Sequence, residues 1–207
     1  MKILFQGDSV TDCDRSRTDE TDLGKGYVPY TAALLRERFP ETAFTFVNRG
    51  VSGNRSADLV ARFEADFAAV RPDVVSVMIG VNDTWRRYDS NDPTDEKTFY
   101  KNYRTVLEGI RARLGAKIVM LEAFLADVPD KPFREDFNRK LDMTRMLARE
   151  YADAYVPLDG LFAAACVEHE PTFWTADGIH PAEPGKQLIA QYAAAAIGTV
   201  IGRLQNA

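Results

Sequence analysis

The sequence predicts a doubly wound α/β fold, in which helices cover both faces of an open parallel sheet. Two patterns along the 207 residues lead to this prediction. Five short runs rich in Val, Ile, Leu and Phe have the composition of buried strands, and longer segments with helical spacing lie between them. Because strands that alternate with helices form parallel sheets, a ligand site is expected beyond the carboxyl ends of the strands. The length suits one such domain, so residues 1–207 are expected to form a single domain.

The strands are predicted from apolar runs that are too short to be helices. In chain order they are Lys2–Gln6, Phe44–Asn48, Val74–Ile79, Lys117–Glu122 and Ala154–Leu158. The expected sheet is therefore five-stranded, and buried parallel strands account for its nearly continuous apolar runs.

The helices are predicted from apolar residues that recur with helical spacing over more than two turns. They are Tyr27–Phe39, Ala57–Val70, Lys97–Leu114, Arg134–Ala152 and a closing helix, Pro181–Leu204. Pro29 suits the first turn of its helix, where its missing N–H has no intrahelical acceptor. The stretch Tyr88–Thr98, which contains Pro93 among acidic and Asn residues, predicts a surface loop.

Composition and charge exclude several classes of function. Hydrophobic residues are 45% and charged residues 28% of the chain, which is typical of a globular protein. Lys and Arg number 26 against 31 Asp and Glu, a net charge of −5, so no nucleic-acid partner is expected. The 2 His and 2 Cys residues are too few for a Cys/His zinc site or a disulfide framework. A metal site made of carboxylates alone stays open.

The apolar segments predict a cytoplasmic protein with no membrane partner. The run after Met1 is too short for the core of a signal peptide and is interrupted by Asp8. The stretch Leu188–Ile201 contains polar residues and is too short to span a bilayer. Cys13 and Cys166 are then expected to be reduced thiols that pack as small apolar side chains.

The first predicted strand ends in Gly7-Asp8-Ser9, which puts a serine hydroxyl at the mouth of the sheet. A glycine at this point permits a tight turn and the close approach of a ligand. The same three residue types are also common in ordinary turns. From the tripeptide alone, Ser9 is either a nucleophile or part of a strand-end turn.

Two further strand ends carry Gly and Asn residues. The second strand is followed by Gly50-Val51-Ser52-Gly53-Asn54, and the third by Gly80-Val81-Asn82-Asp83. Backbone N–H groups beside glycine and an Asn amide are donors that stabilise the oxyanion of acyl transfer, each worth about 3 kcal/mol of barrier. The alternatives are positive-φ loop geometry for the glycines and helix capping for Asn82 and Asp83.

If Ser9 is a nucleophile it needs a general base, and the chain has only 2 histidines. His169 lies between two glutamates and is expected to be a solvated residue at a helix end. His180 follows Asp177 by three residues, so the carboxylate can reach back to Nδ1–H and stabilise an imidazolium. An Asp-x-x-His sequence is also compatible with a helix cap.

Together these residues resemble the SGNH, or GDSL-type, hydrolases, which are esterases with a flavodoxin-like α/β/α sandwich. The four blocks of the family match, in order, Gly7-Asp8-Ser9, Gly53, Gly80-Val81-Asn82-Asp83 and Asp177-Gly178-Ile179-His180-Pro181. The resemblance implies Ser9 as nucleophile, His180 as base and Asp177 as the carboxylate that orients it. It also implies the N–H groups of Ser9 and Gly53 and the Asn82 side chain as oxyanion donors, with Gly53 preferred to Gly50. No cofactor and no metal are implied.

A narrower resemblance is to intracellular bacterial SGNH acetylxylan esterases, which remove acetyl groups from xylo-oligosaccharides. It rests mainly on the run Ile79–Tyr88, in which Trp85 and Arg86 follow the Asn-Asp pair closely. Trp85 and Trp174 are expected near the mouth of the site, where flat aromatic faces suit sugar rings, and Arg55 and Arg86 are expected to bind sugar hydroxyls. Packing is the alternative role for both tryptophans and the favoured one for Trp174.

The sequence therefore predicts a serine esterase that removes acetyl groups from a carbohydrate, with acetylated xylo-oligosaccharides as the expected substrate. The similar enzymes imply a homo-oligomer. Within the family the alternative is a lysophospholipase or thioesterase, which prefers longer acyl chains. From another class, the alternative is a flavodoxin-like protein that binds a nucleotide or sugar without hydrolysing it.

Overall fold

The computed structural model describes residues 1–206 and contains a five-stranded parallel sheet with helices on both faces. The strands are β1 (Lys2–Gly7), β2 (Thr45–Asn48), β3 (Val74–Met78), β4 (Lys117–Leu121) and β5 (Ala154–Val156). They are hydrogen-bonded in the order β2-β1-β3-β4-β5, and every pair is parallel. The predicted three-layer α/β/α sandwich is confirmed.

Nine α-helices lie within residues 1–206. They are α1 (Ser9–Asp12), α2 (Tyr27–Arg38), α3 (Ser56–Ala61), α4 (Val81–Asp89), α5 (Glu96–Gly109), α6 (Arg134–Tyr151), α7 (Leu158–Glu168), α8 (Pro171–Trp174) and α9 (Glu183–Gln205). In this described part of the chain, no helix combines the length and apolar character that crossing a membrane requires.

Two of the predicted helices change their winding before they end. Ala57–Val70 was predicted as one helix, but α3 is followed by a separate π-helical turn, Glu64–Ala68. The second half of Lys97–Leu114 is likewise a π-helical turn that continues α5. The two turns lie against each other, with the Phe63 ring packed on Gly109, where a Cβ would stand only 2.7 Å from the ring. Close packing between the two segments thus accompanies the change of winding.

The sequence did not predict α1, α4, α7 and α8. Helices α1 and α8 have only four residues each, too few to show helical spacing. In α4 the first residue, Val81, is followed by Asn82 and Asp83, residue types that favour turns, and the apolar stripe is narrow. In α7 the first apolar residue, Leu158, was assigned to the preceding strand, which ends at Val156. The loop predicted over Tyr88–Thr98 is correct only in its middle, because its first residues end α4 and its last residues begin α5.

The side chains of the sheet alternate between two cores, as expected for strands covered on both faces. On one face Ile3 and Phe5 pack with residues of α2 and α9 such as Leu35 and Ile197. On the other face Leu4 packs with residues of α3, α5 and α6. Each of these fully buried side chains stabilises the fold by roughly 1.5–3 kcal/mol, so the sheet is a rigid base for its carboxyl edge.

Strand β1 ends at Gly7, directly beneath the candidate site. A Cβ at Gly7 would stand 2.4 Å from the carbonyl oxygen of Met78 in β3 and 2.4 Å from Oγ1 of Thr11 in α1. Only glycine therefore lets β3 and α1 approach the end of β1 this closely. Since β1 lies between β2 and β3, the residues that follow these three strands meet at one edge of the sheet.

We expect Gly7→Ala to lower the free energy of unfolding by about 2 kcal/mol, because the added methyl group overlaps two neighbouring elements. Gly160→Ala is the control: Gly160 lies in α7, and a Cβ there meets no atom within 4 Å. Alanine at that helical position should raise stability by up to about 1 kcal/mol. Denaturant unfolding followed by circular dichroism measures both, and equal stability of the two variants would contradict the argument.

Candidate active site

Ser9, His180 and Asp177 form a continuous hydrogen-bonded relay at the carboxyl edge of the sheet. Ser9 Oγ lies 2.9 Å from His180 Nε2, and His180 Nδ1 lies 2.9 Å from Asp177 Oδ2. Ser9 opens helix α1 directly after β1, whereas the other two residues lie in the turn between α8 and α9. The fold thus brings together three predicted catalytic residues that are far apart in the sequence.

Asp177 is held in one orientation by donors on both of its carboxylate oxygens. Oδ1 accepts hydrogen bonds from the backbone N–H groups of Ile179 (3.1 Å) and His180 (2.8 Å). Burial would raise the pKa of Asp177, but hydrogen bonds from the His180 ring and these N–H groups outweigh it and hold the pKa below its usual value. Asp177 is therefore a carboxylate at neutral pH. Gly178, with φ of 87°, provides the left-handed backbone of the turn.

His180 has a pKa above the ordinary histidine value. The hydrogen bond that His180 donates to Asp177 is the main cause, burial opposes it, and the negative charges of Asp177 and Asp8 add to it. Because the Asp177 carboxylate accepts from Nδ1, the neutral ring carries its proton on Nδ1 and leaves Nε2 as an acceptor for the Ser9 hydroxyl. The ring is thus oriented as a base toward Ser9.

The loop after β2 distinguishes between Gly50 and Gly53 as backbone donors. The N–H of Gly50 donates to Asn48 Oδ1 at 2.9 Å, and a Cβ at Gly50 would clash with the backbone of α1. Gly53 has φ of 82°, and a Cβ there would meet no atom within 4 Å. Gly50 is therefore a packing residue, while Gly53 stands beside open space with a backbone conformation that favours glycine.

The Asn82 amide is fixed from both ends near this loop. Its Nδ2 donates to the carbonyl oxygen of Asn54 at 3.0 Å, and its Oδ1 accepts a long hydrogen bond from Arg86 Nη2 at 3.4 Å. An amide nitrogen carries two N–H groups, so the bond to Asn54 leaves the second as a donor. Asn82 follows Gly80, whose φ of 133° turns the chain from β3 into α4.

Two buried aspartates hold the ends of the loop that carries Gly53. Asp12 Oδ2 accepts hydrogen bonds from the backbone N–H (2.7 Å) and hydroxyl (2.8 Å) of Ser52. Asp83 accepts from the backbone N–H (2.9 Å) and hydroxyl (2.6 Å) of Ser56. Burial raises the pKa of Asp83 to about 6, although the Ser56 donors oppose the rise. Sequence reasoning gave neither aspartate this role.

A second contact supports Asp12. Arg17 Nη2 lies 2.5 Å from Asp12 Oδ2, and Nη1 of the same guanidinium donates to the Gly50 carbonyl at 3.0 Å. One arginine therefore links the aspartate to the start of the loop. The donors to Oδ2 offset part of the cost of burying the carboxylate, while Oδ1 is buried without a hydrogen-bond partner.

Asp8, directly before Ser9, is also buried. Its Oδ1 accepts from the backbone N–H of Val10 at 3.1 Å and so caps α1. Burial raises the pKa of Asp8 to about 7, against the lowering effects of Val10 N–H and the charge of His180. This carboxyl group therefore changes its protonation near neutral pH.

Among the predicted substrate-binding residues, Trp85 lies beside the relay. Its ring centroid is 5.8 Å from that of His180 and 6.2 Å from that of Phe133. Lys131 Nζ lies 5.1 Å from the Trp85 ring centroid. Lys131 also contacts Asp177, and no sequence pattern indicated it.

The other predicted substrate-binding residues make protein contacts. Trp174 Nε1 donates to the carbonyl oxygen of Ala165 in α7 at 3.0 Å, which is a packing contact. Arg55 pairs with Asp92 at 2.9 Å, and Arg86 pairs with Asp89. Sugar binding by Trp174, Arg55 and Arg86 stays a prediction.

His169 is exposed and follows the last residue of α7, as expected for a solvated residue at a helix end. Its ring lies against that of Phe173, at a centroid distance of 4.3 Å. Within the described residues 1–206, no group of three or more His, Cys, Asp or Glu side chains is arranged to hold a metal ion.

A parallel α/β sheet with a Ser-His-Asp relay at its carboxyl edge is the arrangement of a serine hydrolase. Residues 5–188 match the model of the GDSL-like lipase/acylhydrolase family. The chain belongs to this family, and it is a carboxylic ester hydrolase.

Individual relatives resemble nearly the whole chain. An acetylxylan esterase of Geobacillus stearothermophilus is 32% identical over 92% of this chain and 90% of its own length. A crystal structure of that enzyme has a TM-score of 0.87 and covers 95% of this chain and 94% of its own. A GDSL-like lipase from Parabacteroides merdae is 35% identical, with a TM-score of 0.90 and 95% of both chains covered.

We expect Asp12→Ala to lower kcat/KM by about tenfold or more, because a loop displaced by a fraction of an ångström misplaces its donors. Asp142→Ala is the control, since the Asp142 side chain is 70% exposed and has only a long contact, 3.9 Å, with Arg145. Ester hydrolysis and thermal unfolding are measured for both variants. If Asp12→Ala keeps full activity, Asp12 does not position the loop.

Proposed function

We propose that the protein hydrolyses acetyl esters on carbohydrates, with acetylated xylo-oligosaccharides as the substrate and Ser9 as the nucleophile. The observation that carries the proposal is the relay in which Ser9 Oγ contacts His180 Nε2 and His180 Nδ1 contacts Asp177, each at 2.9 Å. A hydroxyl is a weak nucleophile at neutral pH unless a base takes its proton, and here the base is within hydrogen-bond distance.

In the first half-reaction Ser9 Oγ bonds to the acetyl carbon while its proton passes to His180 Nε2. Asp177 stabilises the imidazolium that forms. The carbonyl oxygen becomes negative and accepts hydrogen bonds from the Ser9 and Gly53 N–H groups and from Asn82 Nδ2. The C–O bond to the sugar then breaks, and the proton on Nε2 passes to the sugar oxygen, which leaves as a hydroxyl.

In the second half-reaction water attacks the acetyl group on Ser9. His180 takes a proton from the water, and the same three donors hold the second oxyanion. The bond between the acetyl carbon and Ser9 Oγ breaks, the proton on Nε2 passes to Oγ, and acetic acid leaves with the second proton of the water and ionises to acetate. The enzyme is regenerated without a cofactor.

Three features support Gly53 and Asn82 as oxyanion donors. Gly50 uses its N–H for Asn48, whereas none of the hydrogen bonds within residues 1–206 uses the N–H of Gly53. The space beside Gly53 is open, as an approaching ester needs. Asn82 keeps one N–H beyond the bond to Asn54.

The substrate class is supported by the relatives and by Trp85. The similar Geobacillus enzyme is named an acetylxylan esterase. Its solved catalytic mutants each replace a serine, an aspartate or a histidine, the last two lying three positions apart, as Asp177 and His180 do. The Trp85 ring stands beside His180, where a sugar whose acetyl group enters the site can stack on it.

The roles of the relay predict a sharp contrast between the two histidines. Ser9→Ala and His180→Ala should each lower kcat by about 10⁴-fold or more, since the residues of a triad act as a unit. His169→Ala should keep nearly full activity, because His169 is exposed and packs on Phe173. Acetate release from an acetylated oligosaccharide is the assay. Full activity of Ser9→Ala would support a ligand-binding protein without this chemistry.

The substrate proposal is tested with a panel of acetylated oligosaccharides followed by mass spectrometry, with Ser9→Ala as control. We expect acetyl groups to be lost from xylo-oligosaccharides and not from other sugars. Nitrophenyl esters of increasing acyl length should be cleaved fastest as the acetate. A preference for octanoyl or longer esters would instead favour a lysophospholipase or thioesterase.

Stacking on Trp85 predicts a substrate-dependent effect of its removal. Trp85→Ala should raise KM for the acetylated oligosaccharide by roughly fivefold, equivalent to about 1 kcal/mol of lost stacking. Hydrolysis of ethyl acetate, which has no ring, should change little, and Trp85→Phe should restore most of the lost affinity. Equal losses on both substrates would show that Trp85 supports the fold of the site instead.

A further inference from the structure

A lysine whose side chain is mostly buried contacts the relay from outside the four sequence blocks. Lys131 lies in the irregular segment between β4 and α6, and its side chain is only 13% exposed. Its Nζ is 3.2 Å from Asp177 Oδ2 and donates to the backbone carbonyl of Asp177 at 2.6 Å. The face of Trp85 covers the ammonium, at 5.1 Å from the ring centroid. A lysine is rarely buried to this extent without a partner, and here the partner is Asp177.

Lys131 and His180 share one oxygen of the same carboxylate. Asp177 Oδ2 accepts from His180 Nδ1 and also contacts Lys131 Nζ, while Oδ1 is occupied by two backbone N–H groups. Part of the negative charge that stabilises a protonated His180 is therefore balanced by the positive charge of the Lys131 ammonium. The lysine thus adds an ion pair to this oxygen and a hydrogen bond to the Asp177 backbone carbonyl, and both contacts hold Asp177 in place.

Three charged groups act on the His180 ring. Asp177 is hydrogen-bonded to it, Asp8 directly precedes Ser9 and Lys131 contacts Asp177. The two carboxylates favour the imidazolium, whereas the lysine disfavours it. Lys131 therefore opposes the effect of the Asp177 carboxylate on the His180 ring, and that of Asp8 where Asp8 is ionised.

We propose that Lys131 is a positioning residue that fixes Asp177 and keeps His180 neutral, and hence active as a base, to a lower pH than the Asp177 pairing alone would allow. This inference rests on the proposed role of the relay in ester hydrolysis. Lys131 does not touch the reacting atoms and acts through Asp177.

The segment that carries Lys131 also contacts the turn around Asp177 through groups other than the lysine. Ala126 N donates to the Gly178 carbonyl at 2.8 Å, and Phe133 packs against Trp85. These contacts do not involve the lysine head group. Lys131→Met keeps most of the apolar stem while removing the charge, so the variant is expected to keep the segment in place.

The direct test is the NMR titration of the histidine rings in the wild type, Lys131→Met and Lys131→Arg. The chain has 2 histidines, so His180→Ala assigns the signals and the exposed His169 is an internal reference. In Lys131→Met the pKa of His180 should rise by roughly half a unit or more, because a nearby positive charge is lost. In Lys131→Arg it should stay near the wild-type value, and His169 should not move in either variant.

The kinetic test follows the acidic limb of kcat/KM against pH, with a neutral acetyl ester as substrate. Activity requires neutral His180, so it is lost as the pH falls through the His180 pKa. In Lys131→Met this limb should move to higher pH by the same amount as the NMR titration. Lys25→Met is the matched control, since the Lys25 side chain is 76% exposed and pairs loosely with Asp14 at 3.7 Å.

The outcomes separate this inference from the proposed function. An unchanged His180 titration in Lys131→Met, or an equal shift in Lys131→Arg, would overturn the role of Lys131. An inactive wild type, or an active Ser9→Ala variant, would overturn the esterase proposal, while the NMR titration would still measure the effect of Lys131 on His180. Thermal unfolding of each variant verifies that the fold is retained.

Discussion

The site depends on parallel pairing at the centre of the sheet. Because β1 is hydrogen-bonded between β2 and β3 and all three strands are parallel, the segments that follow them leave the sheet at the same edge and in the same direction. Gly7 allows close packing at this edge, because any side chain at that position would push β3 and α1 away. Ser9, Gly53 and Asn82 follow three strands that end side by side at this edge.

Three carboxylates hold the loop and the turn that carry the site residues. Asp12 and Asp83 each bind the N–H and hydroxyl of a serine, one at either end of the loop around Gly53. Asp177 holds the turn that carries His180 by accepting hydrogen bonds from two backbone N–H groups. Burying a charge is costly unless donors offset the cost, so the donors of each loop favour the geometry in which they reach their carboxylate.

Site residues whose role follows from their neighbours in the sequence could be predicted. Residues whose role depends on contacts between distant parts of the chain could not. Ser9 and His180 were predictable because strand ends and an Asp-x-x-His spacing are visible in the chain. The preference for Gly53 over Gly50 has a geometric reason only once the Asn48 side chain is seen to accept the Gly50 N–H. Lys131 gave no signal, because it lies in an irregular segment and meets Asp177 only through tertiary packing.

The hydrogen bond between Ser9 and His180 joins residues separated by 171 positions. The nucleophile is synthesised before its base, so a nascent chain carries an inert serine until the turn that carries His180 has docked. Contacts that join distant parts of a chain form late, because the entropy of closing a long loop must be overcome first. Chemical reactivity at Ser9 is therefore a property of the completed fold, and hydrolysis can begin only after the sheet and both helical layers are assembled.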